Sequence, residues 1–267
     1  MLQKMFRASN RFWHAMYYDE LLEFDSHQIS YLNGANRLYF NSAHSLCTDD
    51  ARILAGIEDF YRQRGLPPAV YVDPESPAGL EEALKRRGYV ERDEERENWY
   101  LLSFADAATR AKYPPHGDDL PRDPGTEFVV FHPMTDSPLL DDFLRVDAEV
   151  NGLDAAAVAS LKTNLLRPKR SDVQLICALA IKDGKAASTV LVGFHEEHAF
   201  LAEGATLPAF ARQGLSTRLT AVCTRLAVRL GCAGVIVNCD RDAHSNAMVQ
   251  RMGYTFLCPR RFFWQEG

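Results

Sequence analysis

The sequence predicts an α/β chain built on a mixed sheet with helices on both faces. Three observations predict it. Hairpin-linked strands open the C-terminal half, helix–strand alternation follows them, and a similar helix–strand–helix–strand run occurs in the N-terminal half.

The C-terminal half reads most clearly. Residues 127–132 (EFVVFH) form a strand. Residues 137–149 and 154–166 space Leu, Phe, Val and Ala helically, and each opens on Ser or Asp as an N-cap. Strands follow at 173–181 and 186–194, joined by the Asp183-Gly184 hairpin turn. His195-Glu196-Glu197-His198 turns the chain into a strand at 199–207. A long amphipathic helix covers 213–230, a buried strand 233–239 and a short helix 245–252, and two closing strands cover 255–257 and 261–264.

The N-terminal half carries a helix over 51–64, a strand over 69–72, a helix over 79–87 and a strand over 99–104. Its glycines echo the other half. Gly65 and Gly88 lie 23 positions apart, Gly231 and Gly253 22 apart, and Gly88-Tyr89 matches Gly253-Tyr254. Similar elements at similar spacing indicate a degenerate tandem duplication. Between the halves, ADAATRAKYPPHGDDLPRDPG has neither hydrophobic period and is rich in Pro, Gly and Asp, which predicts a linker. The expected division is 1–105, a linker over 106–125, and 126–267.

At 267 residues, 46% apolar and 25% charged, the chain is long enough for two domains without covalent staples. A net charge of −6 and the lack of a Lys/Arg cluster argue against nucleic-acid binding and suit a small or cationic substrate. The first residues lack the apolar region of a signal peptide, and no apolar run reaches membrane-spanning length, so a cytoplasmic protein with no membrane partner is expected. Six scattered cysteines without a CxxC pair read as reduced thiols, most of them buried, and no metal site is expected. His195 and His198 have no evident third ligand. Phe12, Trp13, Tyr17 and Tyr18 read as packing. Asn33, Asn36 and Asn41 fit turn chemistry or a pocket lining, and residues 91–97 (ERDEERE) read as a solvated loop.

The chemistry-bearing stretch runs from 199 to 228. A strand ends at Leu207-Pro208, a short loop leads to Gln213-Gly214, and a helix starts. A helix N-terminus presents unpaired N–H groups and about half a positive charge to an anion. Gly214 lets backbone approach a phosphate, Ser216 and Thr217 can cap or donate, and Arg212 adds a permanent charge. No carboxylate occurs between Pro208 and Cys239.

The segment TLPAFARQGLSTRL resembles the acetyl-CoA motif of Gcn5-related (GNAT) acyltransferases, usually V-x-P-x-x-[RQ]-x-x-G-x-[GA]. Thr206, Pro208, Gly214 and Ser216 take the places of Val, Pro and the two small residues, while Ala211 replaces the usual Arg or Gln. The later block DAHSNAMVQRMGYTFL resembles the family's helix before a Gly-Phe or Gly-Tyr pair. The resemblance covers about 126–267 and implies a GNAT fold. The first half resembles a degraded GNAT half, whose acidic helix start Thr48-Asp49-Asp50 would repel phosphate.

The resemblance implies acetyl-CoA as co-substrate, with its pantetheine arm beside Gly204, Ala205, Thr206 and Leu207. An amide within 205–207 would polarise the thioester carbonyl. Arg212, Gln213, Gly214, Leu215, Ser216 and Thr217 would hold the pyrophosphate. Glu203 is the expected general base. The usual acid, a Tyr, is replaced by Val249, which leaves Ser245 or His244 as substitutes. Asp242 stands where the family often has an Asn and is counted with the cofactor-binding set. The implied activity is acetyl transfer to an amine of a small molecule or peptide in a ternary complex. The rival is a non-catalytic acyl-CoA sensor, a third reading is a protein acetylator, and homodimerisation is left open.

Overall fold

The computed structural model describes residues 2–33, 40–114, 124–135 and 137–266. Its elements run α1 (Leu2–Met16), β1 (Glu20–Glu23), β2 (Gln28–Tyr31), β3 (Ala43–His44), α2 (Ala51–Arg62), β4 (Ala69–Val72), α3 (Leu80–Arg86), β5 (Tyr89–Glu91), β6 (Glu97–Ser103) and α4 (Ala107–Lys112). They continue with β7 (Thr126–Phe131), α5 (Ser137–Asn151), α6 (Ala155–Leu166), β8 (Gln174–Lys182), β9 (Lys185–His195), β10 (His198–Thr206), α7 (Leu215–Arg229), β11 (Gly234–Asp240), α8 (Ser245–Arg251) and β12 (Thr255–Gln265). The chain forms two compact units. The first holds Met1–Trp99, Cys239–Asn246 and Phe256–Gly267, and the second holds Tyr100–Asn238 and Ala247–Thr255.

In the first unit the strands lie in the order β1-β2-β3-β4-β12, with β5 also on β12. Only β3 and β4 are parallel among these pairs. Leu54, Ile57 and Tyr61 of α2 and Leu80 and Leu84 of α3 bury one face of each helix against Val70 and Phe263. Tyr61 also donates its hydroxyl to the Ser30 carbonyl at 2.9 Å. Helix α1 buries Phe6 edge-on against Trp99, 4.8 Å between centroids. Asp50 caps α2 by accepting the Arg52 amide at 2.8 Å, so this helix end is already met by a carboxylate.

In the second unit the order is β6-β11-β10-β9-β8-β7. The β7–β8, β8–β9 and β9–β10 pairs are antiparallel and β10–β11 is parallel. The mixed sheet follows from the connections. Asp183 and Gly184 turn at φ 50° and 76°, which suits a two-residue hairpin and antiparallel strands, whereas α7 returns the chain from β10 to a parallel β11. Leu215, Leu219, Cys223 and Leu226 bury one stripe of α7. Gly234 is required by close packing, since a Cβ there would stand 2.8 Å from the Leu102 carbonyl oxygen.

The inferred repeat is visible in how the helices end. Leu66 donates its amide to the Tyr61 carbonyl and Cys232 donates to Ala227, both at 3.0 Å, across Gly65 and Gly231 at φ 70° and 78°.

The compact units change over at Trp99, within β6, and most of the final strand belongs to the first unit. Several expected elements are corrected. Part of the expected linker is α4, capped by Asp106 through the Ala108 and Thr109 amides, and 115–123 lie outside the described residues. The two closing strands are one, running through Pro259. Strands β1 to β3, too short for a clear period, were not anticipated. The acidic run 91–97 is structured: Glu91 pairs with Arg261, Asp93 with Arg241, and Glu97 accepts from Trp99 Nε1 at 2.8 Å. Four cysteines are buried, Cys232 is half-buried and Cys47 is exposed, and all six are free. Asn41 holds the Leu32 amide and carbonyl, which is turn chemistry, while Asn36 and the Ser137 side chain lie outside the described residues.

Candidate functional site

The second unit contains a helix end with no cap of its own. Gly214 occupies the N-cap of α7 at φ 73°, and no side chain caps it. The first hydrogen bond of the helix runs from the Arg218 amide to the Gly214 carbonyl at 3.1 Å, so the N–H groups of Leu215, Ser216 and Thr217 precede the ladder. Arg212, also left-handed at φ 61°, turns the preceding loop, and residues 211–214 are exposed. Successive amides around left-handed residues form a concave anion cradle. A Cβ built on Gly214 meets nothing within 4 Å, so the space over the turn is open. The Ser216 hydroxyl lies 3.5 Å from the Met248 sulfur, and Arg218 reaches back to the Gln213 carbonyl at 3.2 Å.

Strand β10 leads into this turn and parts from β11 on the way. Parallel pairing covers four positions, His198 to Leu201 against Gly234 to Val237, although β10 continues to Thr206 and β11 to Asp240. On its other edge β10 stays with β9 as far as Thr206, with a bulge between Ala202 and Ala205. The hydroxyls of β9 hold this edge. Thr189 donates to the Glu203 carbonyl at 3.2 Å and Ser188 to the Ala205 carbonyl at 2.7 Å. The Leu207 amide donates to Ala187 at 2.9 Å, which removes it from the expected carbonyl-polarising set. Strand alternation then directs the Thr206 amide toward the opened edge. Gly204 is exposed, and a Cβ there would also meet nothing within 4 Å.

Glu203 sits in the bulge at φ 48°, a conformation rare for a residue with a side chain, and is half-buried. Its neighbour is Asp147 of α5, which is 0% exposed. Asp147 Oδ1 accepts from Asn151 Nδ2 at 2.6 Å, while Oδ2 is buried and meets no partner in good hydrogen-bonding geometry. Burial pushes the Asp147 carboxyl up to about 8. The charge of Glu203 and contact between the two carboxyls act in the same direction, and the Asn151 hydrogen bond opposes them. Of the two carboxyls, Asp147 is the more deeply buried. Sequence reasoning missed Asp147, although a signal existed. Leu140, Phe143, Leu144 and Asp147 share one helix face, and the other three are core residues.

The remaining candidates lie in the first unit. His244 is exposed, Ser245 opens α8 and engages the Cys239 thiol, and the Asp242 side chain is 94% exposed beside Arg241. Asn246 fixes this loop by donating to the Asp240 and Ala243 carbonyls, both at 2.8 Å. Val249, at the usual place of the acid, is buried. His195 is buried with Nδ1 3.0 Å from the Asp172 carbonyl, and no metal-binding group occurs among the described residues. No described helix is long and apolar enough to cross a membrane.

Residues 146–254 match the family model of the acetyltransferase (GNAT) family. No curated protein matches the sequence. Among solved structures the chain is similar to a GCN5-related N-acetyltransferase from Kribbella flavida, at 14% identity and TM-score 0.70, over 99% of this chain and 95% of that one. A functionally unknown conserved protein from Staphylococcus epidermidis aligns at 16% identity and TM-score 0.64, over 94% and 96%. A tandem GNAT protein from the clavulanic acid biosynthesis pathway aligns at 16% identity and TM-score 0.66, over 90% and 78%. The chain therefore has the tandem GNAT fold, and its residues 146–254 match the model of the acetyltransferase (GNAT) family.

Proposed function

We propose that the second unit binds acetyl-CoA and transfers its acetyl group to an amine of a small molecule or peptide. The observation that carries this reading is the uncapped, left-handed Gly214 turn at the end of a strand that has parted from its neighbour. The amides and side chains of Arg212, Gln213, Gly214, Leu215, Ser216 and Thr217 would hold the pyrophosphate, and the pantetheine arm would lie along 204–206. The Thr206 amide would meet the thioester oxygen as negative charge develops on it.

In the transfer, the amine nitrogen bonds to the carbonyl carbon and the carbon–sulfur bond breaks. The amine proton passes to Glu203, directly or through one water, and coenzyme A leaves as a thiolate that takes a proton from solvent. Holding both reactants together supplies much of the rate. The first unit is proposed as a degenerate GNAT half. Its corresponding helix end, capped by Asp50, is unsuited to a phosphate. Six free cysteines suit a reducing, cytoplasmic setting.

Titration calorimetry with acetyl-CoA and thiol release across an amine panel test the proposal. Turnover that disappears in Glu203→Gln while acetyl-CoA still binds supports the enzyme. Stoichiometric binding without turnover on any amine supports the acyl-CoA sensor, a reading that the buried Val249 at the usual acid position favours. No binding at millimolar acetyl-CoA overturns both.

A further inference from the structure

Strand β9 is apolar along most of its length, yet it carries Ser188 and Thr189, both 0% exposed. A buried hydroxyl is costly unless it is used. Both are used on the backbone of β10. Thr189 Oγ1 donates to the Glu203 carbonyl at 3.2 Å and Ser188 Oγ to the Ala205 carbonyl at 2.7 Å. Ser188 has one hydroxyl proton and a carbonyl can only accept, so the 2.8 Å contact between Ser188 Oγ and Thr206 Oγ1 is a hydrogen bond donated by Thr206. One carbonyl lies in the bulge, where Glu203 and Gly204 stand against Val190 alone, and the other lies just beyond it. Glu203 is left-handed there, at φ 48°, so the hydroxyls take hold where the ladder is interrupted.

A trans peptide is planar and sets its C=O and N–H on opposite sides. The Glu203 carbonyl shares a peptide group with the Gly204 N–H, and the Ala205 carbonyl shares one with the Thr206 N–H. With each C=O held to β9, each N–H is turned away from β9, toward the edge where pairing with β11 has stopped at Leu201 and Val237. A hydrogen bond at one end of a peptide group also polarises the other end and makes its N–H a better donor.

We infer that Ser188 and Thr189 are positioning residues for the acyl donor. Ser188 fixes and strengthens the Thr206 N–H that meets the thioester oxygen, and Thr189 fixes the Gly204 N–H for the pantetheine arm. This rests on the reading of the opened edge as the acetyl-CoA site. Neither hydroxyl touches the ligand; each acts through one peptide group. No proton moves along the Ser188 contacts, which set only the geometry and polarity of the donor. The two roles differ in kind. Negative charge develops on the thioester oxygen in the transition state, so Ser188 acts on kcat. The arm is held alike before and during transfer, so Thr189 acts on affinity.

Isotope-edited infrared spectra of acetyl-CoA labelled at the thioester carbonyl and bound to the full chain test this without an amine. Binding to wild type should lower the carbonyl stretching frequency, because a hydrogen bond weakens that double bond. Ser188→Ala should give back much of the shift, and Ser188→Cys, of similar size but a weaker donor, should fall between. Thr189→Val, which keeps the shape of the side chain, should leave the shift in place. Calorimetry with coenzyme A, which has no acetyl group, should show the reverse. Thr189→Val should bind it roughly 2- to 10-fold more weakly and Ser188→Ala as wild type does. On any amine that turns over, Ser188→Ala should lose about 10-fold in kcat at an unchanged KM for acetyl-CoA. That is less than the roughly 10²–10³-fold loss from deleting an oxyanion donor outright. A full shift in Ser188→Ala overturns the role of Ser188, and unchanged coenzyme A affinity in Thr189→Val overturns that of Thr189. Shift and affinity lost together in both variants would mark a strand that has merely loosened, and overturns both roles. A wild type that binds acetyl-CoA with no shift overturns the assignment of the Thr206 amide and Ser188 with it, while calorimetry still decides Thr189.

Discussion

Arg87 grips Glu58 through two parallel hydrogen bonds, Nε to Oε1 at 2.6 Å and Nη2 to Oε2 at 2.8 Å. Arg62 adds a third contact to the same carboxylate at 3.2 Å. The Glu58 side chain is 5% exposed, so the fork holds a buried charge that joins the last residues of α2 to the end of α3. Breaking one side of such a pair leaves the other charge uncompensated. Glu58→Ala should destabilise by about 3 kcal/mol in denaturant unfolding, and Arg87→Lys should recover little because an ammonium cannot reproduce the fork. A loss under about 1 kcal/mol in Glu58→Ala would show that the pair is effectively solvated.

Arg260 is the most enclosed cation described in the first unit, at 2% exposure. Its guanidinium faces Tyr71 at 4.3 Å, Phe6 at 4.7 Å and Trp99 at 5.2 Å, with His44 Nδ1 at 3.1 Å and Glu97 at 3.5 Å. Burial, then the Arg260 charge, hold His44 well below its ordinary value, so His44 is neutral and accepts from the arginine. Arg260→Ala should cost on the order of 3–5 kcal/mol. It should also raise the pKa of His44 in an NMR titration of the folded chain, because a positive charge has gone. An unmoved His44 pKa would sever the two.

The pieces legible in the sequence were those with a local signature. The Asp183-Gly184 hairpin, the Asp154 N-cap and the Gly214 turn are each set by residues a few positions apart, and each is where spacing put it. The repeated Gly65 and Gly231 were legible for the same reason. Pairings between distant segments were not. Nothing near Phe262 announces that it pairs with Tyr71 in the first unit, and β3 is only two residues long. At the site, Glu203 was proposed from the strand that carries it. Asp147 was not, because its importance comes from a contact with a residue 56 positions later in the chain.

Gly214 is set in a left-handed turn with open space above it, so its role can be separated from packing. A side chain at φ 73° adds roughly 1–2 kcal/mol of strain and puts a methyl group where a phosphate would approach. Gly214→Ala should weaken coenzyme A binding about 10-fold or more in calorimetry, with a smaller loss in thermal stability. Gly214→Asp should weaken it further, since a carboxylate would cap the helix and repel the ligand. Equal affinity in all three proteins would move the anion site elsewhere.

Asp147 also sets how stability depends on pH. Its carboxyl is raised in the fold from 3.8 to about 8, so between those values the folded chain keeps a proton that the unfolded chain has released. Fewer protons are bound by the unfolded state across that window, and stability therefore falls as pH rises through it and levels off above about 8. Below the lower value both states are protonated and the effect vanishes. Asp147→Asn removes the titrating group while keeping its shape and the hydrogen bond from Asn151. Relative to wild type, its melting temperature should therefore rise more at pH 8 than at pH 5. A pH-independent difference between the two proteins would mean that Asp147 ionises in the fold as readily as in the unfolded chain, and that the second carboxyl beside it is matched by a positive charge.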